Sequence, residues 1–158
     1  MIKVGEKLPS AKLFKLGEKG IDGINSSEYF ANKKIVLVSV PSAFSTTCSI
    51  QLPGYIENSE EILSKGIDEI ICLAVNNAFI MKAWERELSA SDKVTFLSDG
   101  NGELRDKTGL ITDLSIVGLG KRLSRFAMII DDGKIVKIFN ENGPGLDLSK
   151  AENVIKSI

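Results

Sequence analysis

Apolar residues gather along the chain in short blocks separated by stretches of helical period. Ile35-Val-Leu-Val-Ser-Val40 is a run dominated by β-branched residues, the pattern of a strand buried on both faces. Glu69-Ile-Ile-Cys-Leu-Ala-Val75 repeats it, and Val94–Leu97 is a weaker version. Phe126-Ala-Met-Ile-Ile130 and Lys134-Ile-Val-Lys-Ile-Phe139 flank Asp131-Asp-Gly133, a turn sequence that predicts a β-hairpin. Between the first strands, Leu52, Tyr55, Ile56, Ile62 and Leu63 share one helical face. Pro53 inside that segment predicts a kink or an irregular first turn. A second helix is expected to start at an Asn76-Asn77 cap pair and to carry Ile80, Ala83, Trp84 and Leu88 on one side. Short helical turns near Asn101–Lys107 and from about Ser149 complete the pattern.

The order β-α-β-α-β, then a hairpin and a last helix, predicts an α/β fold. Its central mixed sheet would have parallel strands inside, antiparallel strands at an edge and helices on its flanks. The thioredoxin-like arrangement fits this order, with a flavodoxin-like one as the alternative. A length of 158 residues predicts a single domain over residues 1–158, because no repeat, linker or low-complexity tract divides the chain. Lysine and arginine total 20 against 21 acids, which leaves no electrostatic footprint for nucleic acid. The apolar runs are far shorter than the ~20 residues that a membrane-spanning helix needs. Met1-Ile-Lys-Val-Gly5 lacks the apolar core of a signal peptide, so the expected location is cytoplasmic.

Histidine changes the picture most, by being absent. Histidine-assisted serine and cysteine hydrolases are excluded, as are most catalytic zinc sites. The two cysteines, Cys48 and Cys72, are too few for a disulfide framework or a four-thiolate metal site. They are not spaced as C-x-x-C, so dithiol chemistry of the thioredoxin kind is not expected either. Neither a metal nor an organic cofactor is expected.

In open α/β sheets, ligands gather at the carboxyl ends of the strands. Here the first core strand runs into Pro41-Ser-Ala-Phe-Ser-Thr-Thr-Cys48, with Cys48 where the loop becomes a helix. Helix N-terminal amides favour a thiolate there. A free thiol near pKa ~8.5 is only about 3% ionised at pH 7. Bringing such a thiol down to near 6.5 takes about 2.7 kcal/mol, of which a helix terminus supplies roughly 0.3–1. The remainder requires a fixed cation, which in this chain must be arginine or lysine. Cys72, within an apolar strand, reads as core filler. A phosphate cradle for a flavin is a weaker reading of the same loop, since no glycine lies between Pro41 and Cys48. A cysteine phosphatase would place arginine six residues beyond the cysteine, where this chain has Gly54.

Val40-Pro-Ser-Ala-Phe-Ser-Thr-Thr-Cys-Ser49 resembles the active-site signature of the peroxiredoxins, specifically their atypical type-five group. Leu52-Pro-Gly54, Leu73-Ala-Val-Asn76, Trp84 and Arg125-Phe-Ala-Met128 fall where that family has its counterparts, and the resemblance runs nearly end to end. It implies a thiol peroxidase that reduces hydrogen peroxide and alkyl hydroperoxides. Cys48 matches the peroxidatic cysteine, and Ser45 the hydroxyl residue that bonds thiolate and peroxide. Pro41 matches the proline that shields the sulfur, and Arg125 the active-site arginine. Arg125 is also the cation that the thiolate energetics require. Ser42 and Thr46 depart from the glycine and proline common in the family, and Asn77 stands where aspartate is frequent. The stretch 113–122 resembles the bacterial loop bordering the pocket and is expected to offer apolar contacts.

Two-cysteine relatives of this group carry a resolving cysteine in a late loop, where this chain has Leu148. Cys72 is expected to lie in a separate buried strand facing elsewhere, out of disulfide reach of Cys48. The resemblance therefore implies a one-cysteine mechanism with glutathione, glutaredoxin or thioredoxin as reductant, and a homodimer. A redox sensor that signals through Cys48, and a flavin-phosphate binding module, are the readings from other classes.

Overall fold

The N-terminal segment folds as a hairpin that no regular apolar alternation announces. In the computed structural model, which describes residues 1–158, β1 (Lys12–Gly17) pairs antiparallel with β2 (Gly20–Asn25). All but one residue of β2 are exposed, so no apolar alternation marks it. The single turn α1 (Ser26–Tyr29), capped by the Asn25 side chain, leads to β3 (Lys34–Ser39), the first expected core strand.

The segment read as one long helix is two, α2 (Cys48–Glu57) and α3 (Ser59–Ser64). Pro53 lies within α2 and has no N–H to give to its hydrogen-bond ladder. The break comes at Asn58, whose side-chain amide donates to the Gly54 carbonyl at 2.7 Å. Beyond it Leu63, expected on the inner face, is exposed.

Next come β4 (Glu69–Ala74), α4 (Ala78–Glu87), β5 (Thr95–Ser98) and α5 (Glu103–Thr108). Asn77 caps α4 by accepting the Ile80 N–H at 3.0 Å. The buried stripe of α4 is Ala78, Met81, Trp84 and Glu85, so Ile80 and Ala83 face solvent, contrary to the expected stripe. The ion pair from Lys82 to Glu85 at 2.9 Å lets a carboxylate take a buried position, which hydrophobic patterning alone does not foresee.

The ribbon of β6 (Ile111–Asp113) and β7 (Lys121–Leu123) stands apart from the main sheet, joined by a 3₁₀ turn over Ser115–Val117. The expected hairpin follows as β8 (Phe126–Asp131) and β9 (Lys134–Asn140), and α6 (Ala151–Ile155) is the last helix.

Seven strands form the main sheet in the order β2-β1-β5-β4-β3-β8-β9. β3, β4 and β5 are parallel to one another, while β8 runs antiparallel to β3 and β1 antiparallel to β5. Three parallel strands with antiparallel strands on both sides make the mixed, thioredoxin-like sheet, and the flavodoxin-like alternative falls away. Alternation along the strands sorts the core into two layers. Val36, Val38, Cys72 and Phe96 pack with Leu52, Tyr55 and Trp84 on one face. Ile35, Leu37, Ile71 and Leu73 pack with Leu13 and Leu104 on the other.

Cys72 and Cys48 thus lie in the same layer. The expectation that Cys72 faces elsewhere is corrected by simple parity: Cys72 pairs with Val38, and both point under α2. No disulfide joins the two thiols.

Candidate active site

Cys48 is the first residue of α2, reached by the loop that leaves the carboxyl end of β3. Two local features shape that loop. Phe44 takes a left-handed φ of 66° without a glycine to relieve it, a conformation that costs a non-glycine residue about 1–2 kcal/mol. Asn76, at the end of the neighbouring strand β4, accepts the Ala43 N–H on its side-chain oxygen at 2.9 Å. Loop and strand are thereby fastened together just ahead of the cysteine.

The Cys48 sulfur is fully buried, and one cation reaches it. Arg125, immediately before β8, donates from Nη2 to the sulfur at 3.3 Å and from Nη1 to Gln51 Oε1 at 2.6 Å. Those partners lie 77 and 74 residues away in sequence, so only the antiparallel pairing of β8 with β3 brings them together. No carboxylate pairs with Arg125. Gln51, one helical turn after Cys48, is buried beside it.

Pro41 and Ser45 lie on the loop that leads into Cys48. A pocket of about 650 Å³ opens there, with Pro41, Ser45, Thr47 and Arg125 on one side and Leu114 and Leu119 of the β6–β7 ribbon on the other. The expected apolar contacts from this ribbon are present in those two leucines. The Ser45 carbonyl accepts the Ser49 N–H at 2.9 Å, while no side chain caps α2. Its hydroxyl therefore does not cap α2. Phe79 is exposed, whereas Trp84 is fully buried.

Arg122 is a neighbour that sequence reasoning did not single out. Its Nε donates to the Pro41 carbonyl at 2.7 Å, while its Nη2 is buried with no partner. Burial holds this guanidinium below its usual range, reinforced by Arg105, while the charge of Cys48 pulls the other way. A polar residue in an exposed-looking ribbon carries no local signal of such a role. Gln51 gave no sequence signal either, and Asn76, read as half of a helix cap pair, instead holds the loop while Asn77 alone caps α4.

Cys72 differs sharply from Cys48. Burial pushes its thiol well above the usual range, and the charge of nearby Cys48 adds to that. The two thiols share a layer, but only Cys48 has a cation.

A helix-terminal thiol held by a guanidinium that no carboxylate pairs, on a thioredoxin-like sheet and linked through that guanidinium to an open pocket, defines a class of cysteine nucleophile that needs no imidazole. The profile described as Redoxin matches residues 3–155, and the chain belongs to that family, among its peroxiredoxins, which are thiol peroxidases. Chloroplastic peroxiredoxin-2E of Arabidopsis thaliana is 43% identical over 163 residues, covering 99% of this chain and 69% of that one. The structure of reduced Prx3 from Vibrio vulnificus in complex with hydrogen peroxide aligns with a TM-score of 0.95 at 38% identity, over 99% of each chain. The 1-Cys peroxiredoxin of Plasmodium falciparum aligns with a TM-score of 0.92 at 29% identity, over 99% of this chain and 98% of that one.

Proposed function

We propose that this protein reduces hydrogen peroxide and alkyl hydroperoxides through Cys48 by a one-cysteine mechanism, with an external thiol as reductant. The observation that carries the reading is the 3.3 Å contact between Arg125 and the Cys48 sulfur. The Cys48 thiolate attacks the nearer peroxide oxygen, forming an S–O bond as the O–O bond breaks. The displaced electron pair leaves on the far oxygen, which takes up a proton and departs as water or an alcohol. Charge moves from sulfur to oxygen in that step, and Arg125 with the Ser45 hydroxyl follows it, the kind of fixed electrostatics that dominates many enzymes. Pro41 offers no N–H to compete for the sulfur. Leu114 and Leu119 give an alkyl group somewhere to lie.

The product is cysteine sulfenic acid. A thiol of glutathione, glutaredoxin or thioredoxin attacks it, forming a mixed disulfide and releasing water. A second thiol then frees Cys48. Cys72 does not serve as the internal partner in this reading, because its buried thiol strongly resists ionisation and only thiolates attack. Leu148 occupies the late-loop position at which the resolving cysteine of two-cysteine relatives would stand.

Peroxide titration followed by intact mass tests the reading. One equivalent should add one oxygen to the wild type and to Cys72→Ser, or a glutathione adduct when glutathione is present, and leave Cys48→Ser unchanged. A rapid Cys48–Cys72 disulfide would defeat the one-cysteine mechanism. An unmodified Cys48 would defeat the function.

A further inference from the structure

The chain after β9 folds around a single carboxylate. Glu141 Oε2 accepts the backbone N–H of Asp147 at 3.0 Å and of Ser149 at 2.7 Å, together with the Ser149 hydroxyl at 2.7 Å. Its other oxygen accepts the Leu148 N–H at 3.2 Å. Burial opposes ionisation of this carboxyl, but the bonds from Ser149, Asp147 and Leu148 outweigh it and hold the group below its usual range.

Ser149 is fully buried, and its oxygen accepts from Gln51 Nε2 at 3.2 Å. Tyr55, one turn further along α2, donates its hydroxyl to the Ser149 carbonyl. Gln51 passes the connection on, since its Oε1 takes the bond from Arg125, whose other nitrogen is on the Cys48 sulfur.

All the donors in this series point towards the carboxylate. The guanidinium donates to the amide, the amide to the hydroxyl, and the hydroxyl to Glu141. A hydroxyl has one proton to give. Because Glu141 takes it, Ser149 can only accept from Gln51, and Gln51 must turn its NH₂ towards Ser149 and its oxygen towards Arg125. With the amide flipped, NH₂ would face guanidinium, two donors opposed in a buried site.

We infer that Ser149 and Glu141 are positioning residues of the peroxide reaction: they fix the orientation of the Gln51 amide, which aims Arg125 at the Cys48 sulfur. The inference rests on the reading of Cys48 and Arg125 given above. Neither residue touches sulfur or substrate, so each acts only through Arg125.

The test is the rate of Cys48 oxidation by hydrogen peroxide in the reduced full-length protein, followed by rapid quench and intact mass. Ser149→Ala should slow it roughly tenfold, the size expected for a lost buried hydrogen bond that bears on a transition state. Ser149→Thr, which keeps the hydroxyl, should restore the rate. In an Arg125→Met background, Ser149→Ala should cost nothing further, since its effect travels through the missing guanidinium. Should Ser149→Ala fail to fold, Glu141→Gln takes its place, with the same slowing and the same non-additivity expected. An unchanged rate in Ser149→Ala, or equal slowing with and without Arg125, would overturn the inference while leaving the peroxidase reading intact. A wild type inert to peroxide would overturn both.

Discussion

Arg125 and Cys48 show how far single residues can be read before a structure is known. The need for a fixed cation beside a thiol in a chain without histidine already points to arginine or lysine, and the fold supplies Arg125 at 3.3 Å. Removing a donor aimed at developing charge typically costs about 10²–10³-fold in rate. Arg125→Met should therefore slow peroxide reduction by about that factor in stopped-flow assays, and should also lower the thermal midpoint, since Gln51 Oε1 is left buried without its donor. Wild-type rates in that variant would remove Arg125 from the site. Ser45→Ala should slow the same step less, about tenfold, as the loss of one neutral hydrogen bond predicts. The roles of Gln51, Asn76 and Arg122 at the site were illegible for a common physical reason. Each acts through a partner distant in sequence, and nothing in the local pattern separates such a residue from a solvated one.

At the scale of elements, legibility followed apolar patterning. β3, β4 and the β8–β9 hairpin were plain because their residues are buried and β-branched or flank a turn sequence. β2 was missed because an edge strand that is largely exposed needs no apolar alternation, and β1 beside it carries Leu13, Phe14 and Leu16 without one. The orientation of Cys72 was recoverable from period-two parity once the register of β3 against β4 was known, and a single sequence does not contain that register. A second element is fixed by a buried charge. Asp99, just after β5, accepts the N–H groups of Leu104 and Arg105 at 3.0 and 2.9 Å and so starts α5. Burial raises its pKa above the ordinary aspartate value, against the lowering effect of those bonds. A raised carboxyl contributes most when protonated, so its contribution is full below the unfolded value of ~3.9 and is lost as pH rises through the folded one. The stability of wild type relative to Asp99→Asn should therefore increase as pH falls from 7 towards 4. Urea midpoints of the two proteins at both pH values measure this, and a gap that shrinks on acidification would contradict it.

For the molecule as a whole, the site is assembled from four separate stretches: the loop after β3, the end of β4, the β7–β8 junction and the loop after β9. The sheet brings them together at one end, where the carboxyl ends of β3 and β4 meet the start of β8 and the end of β9. Apolar side chains are left outward beside it. Phe44 lies against Trp84 of α4 with ring centroids 6.3 Å apart, and the same helix exposes Phe79 and Ile80. A second copy of this chain is the proposed cover for that face, in keeping with the expected homodimer. Light scattering at micromolar concentration should report a dimer, and Phe79→Glu should shift it towards monomer. A monomeric wild type would count directly against this assembly.

The left-handed backbone at Phe44 has a further consequence for the exchange between folding and association. Glycine would adopt that φ freely, so retaining phenylalanine there sacrifices stability in the isolated chain for a ring that stands half in solvent. The return has to come where the ring is removed from water, which on the proposed face is contact with another copy. Phe44→Gly should thus unfold at the same urea concentration as the wild-type monomer, or a higher one, yet dissociate at a higher protein concentration. A glycine variant that is both less stable and equally well associated would show the strained ring to serve the loop alone.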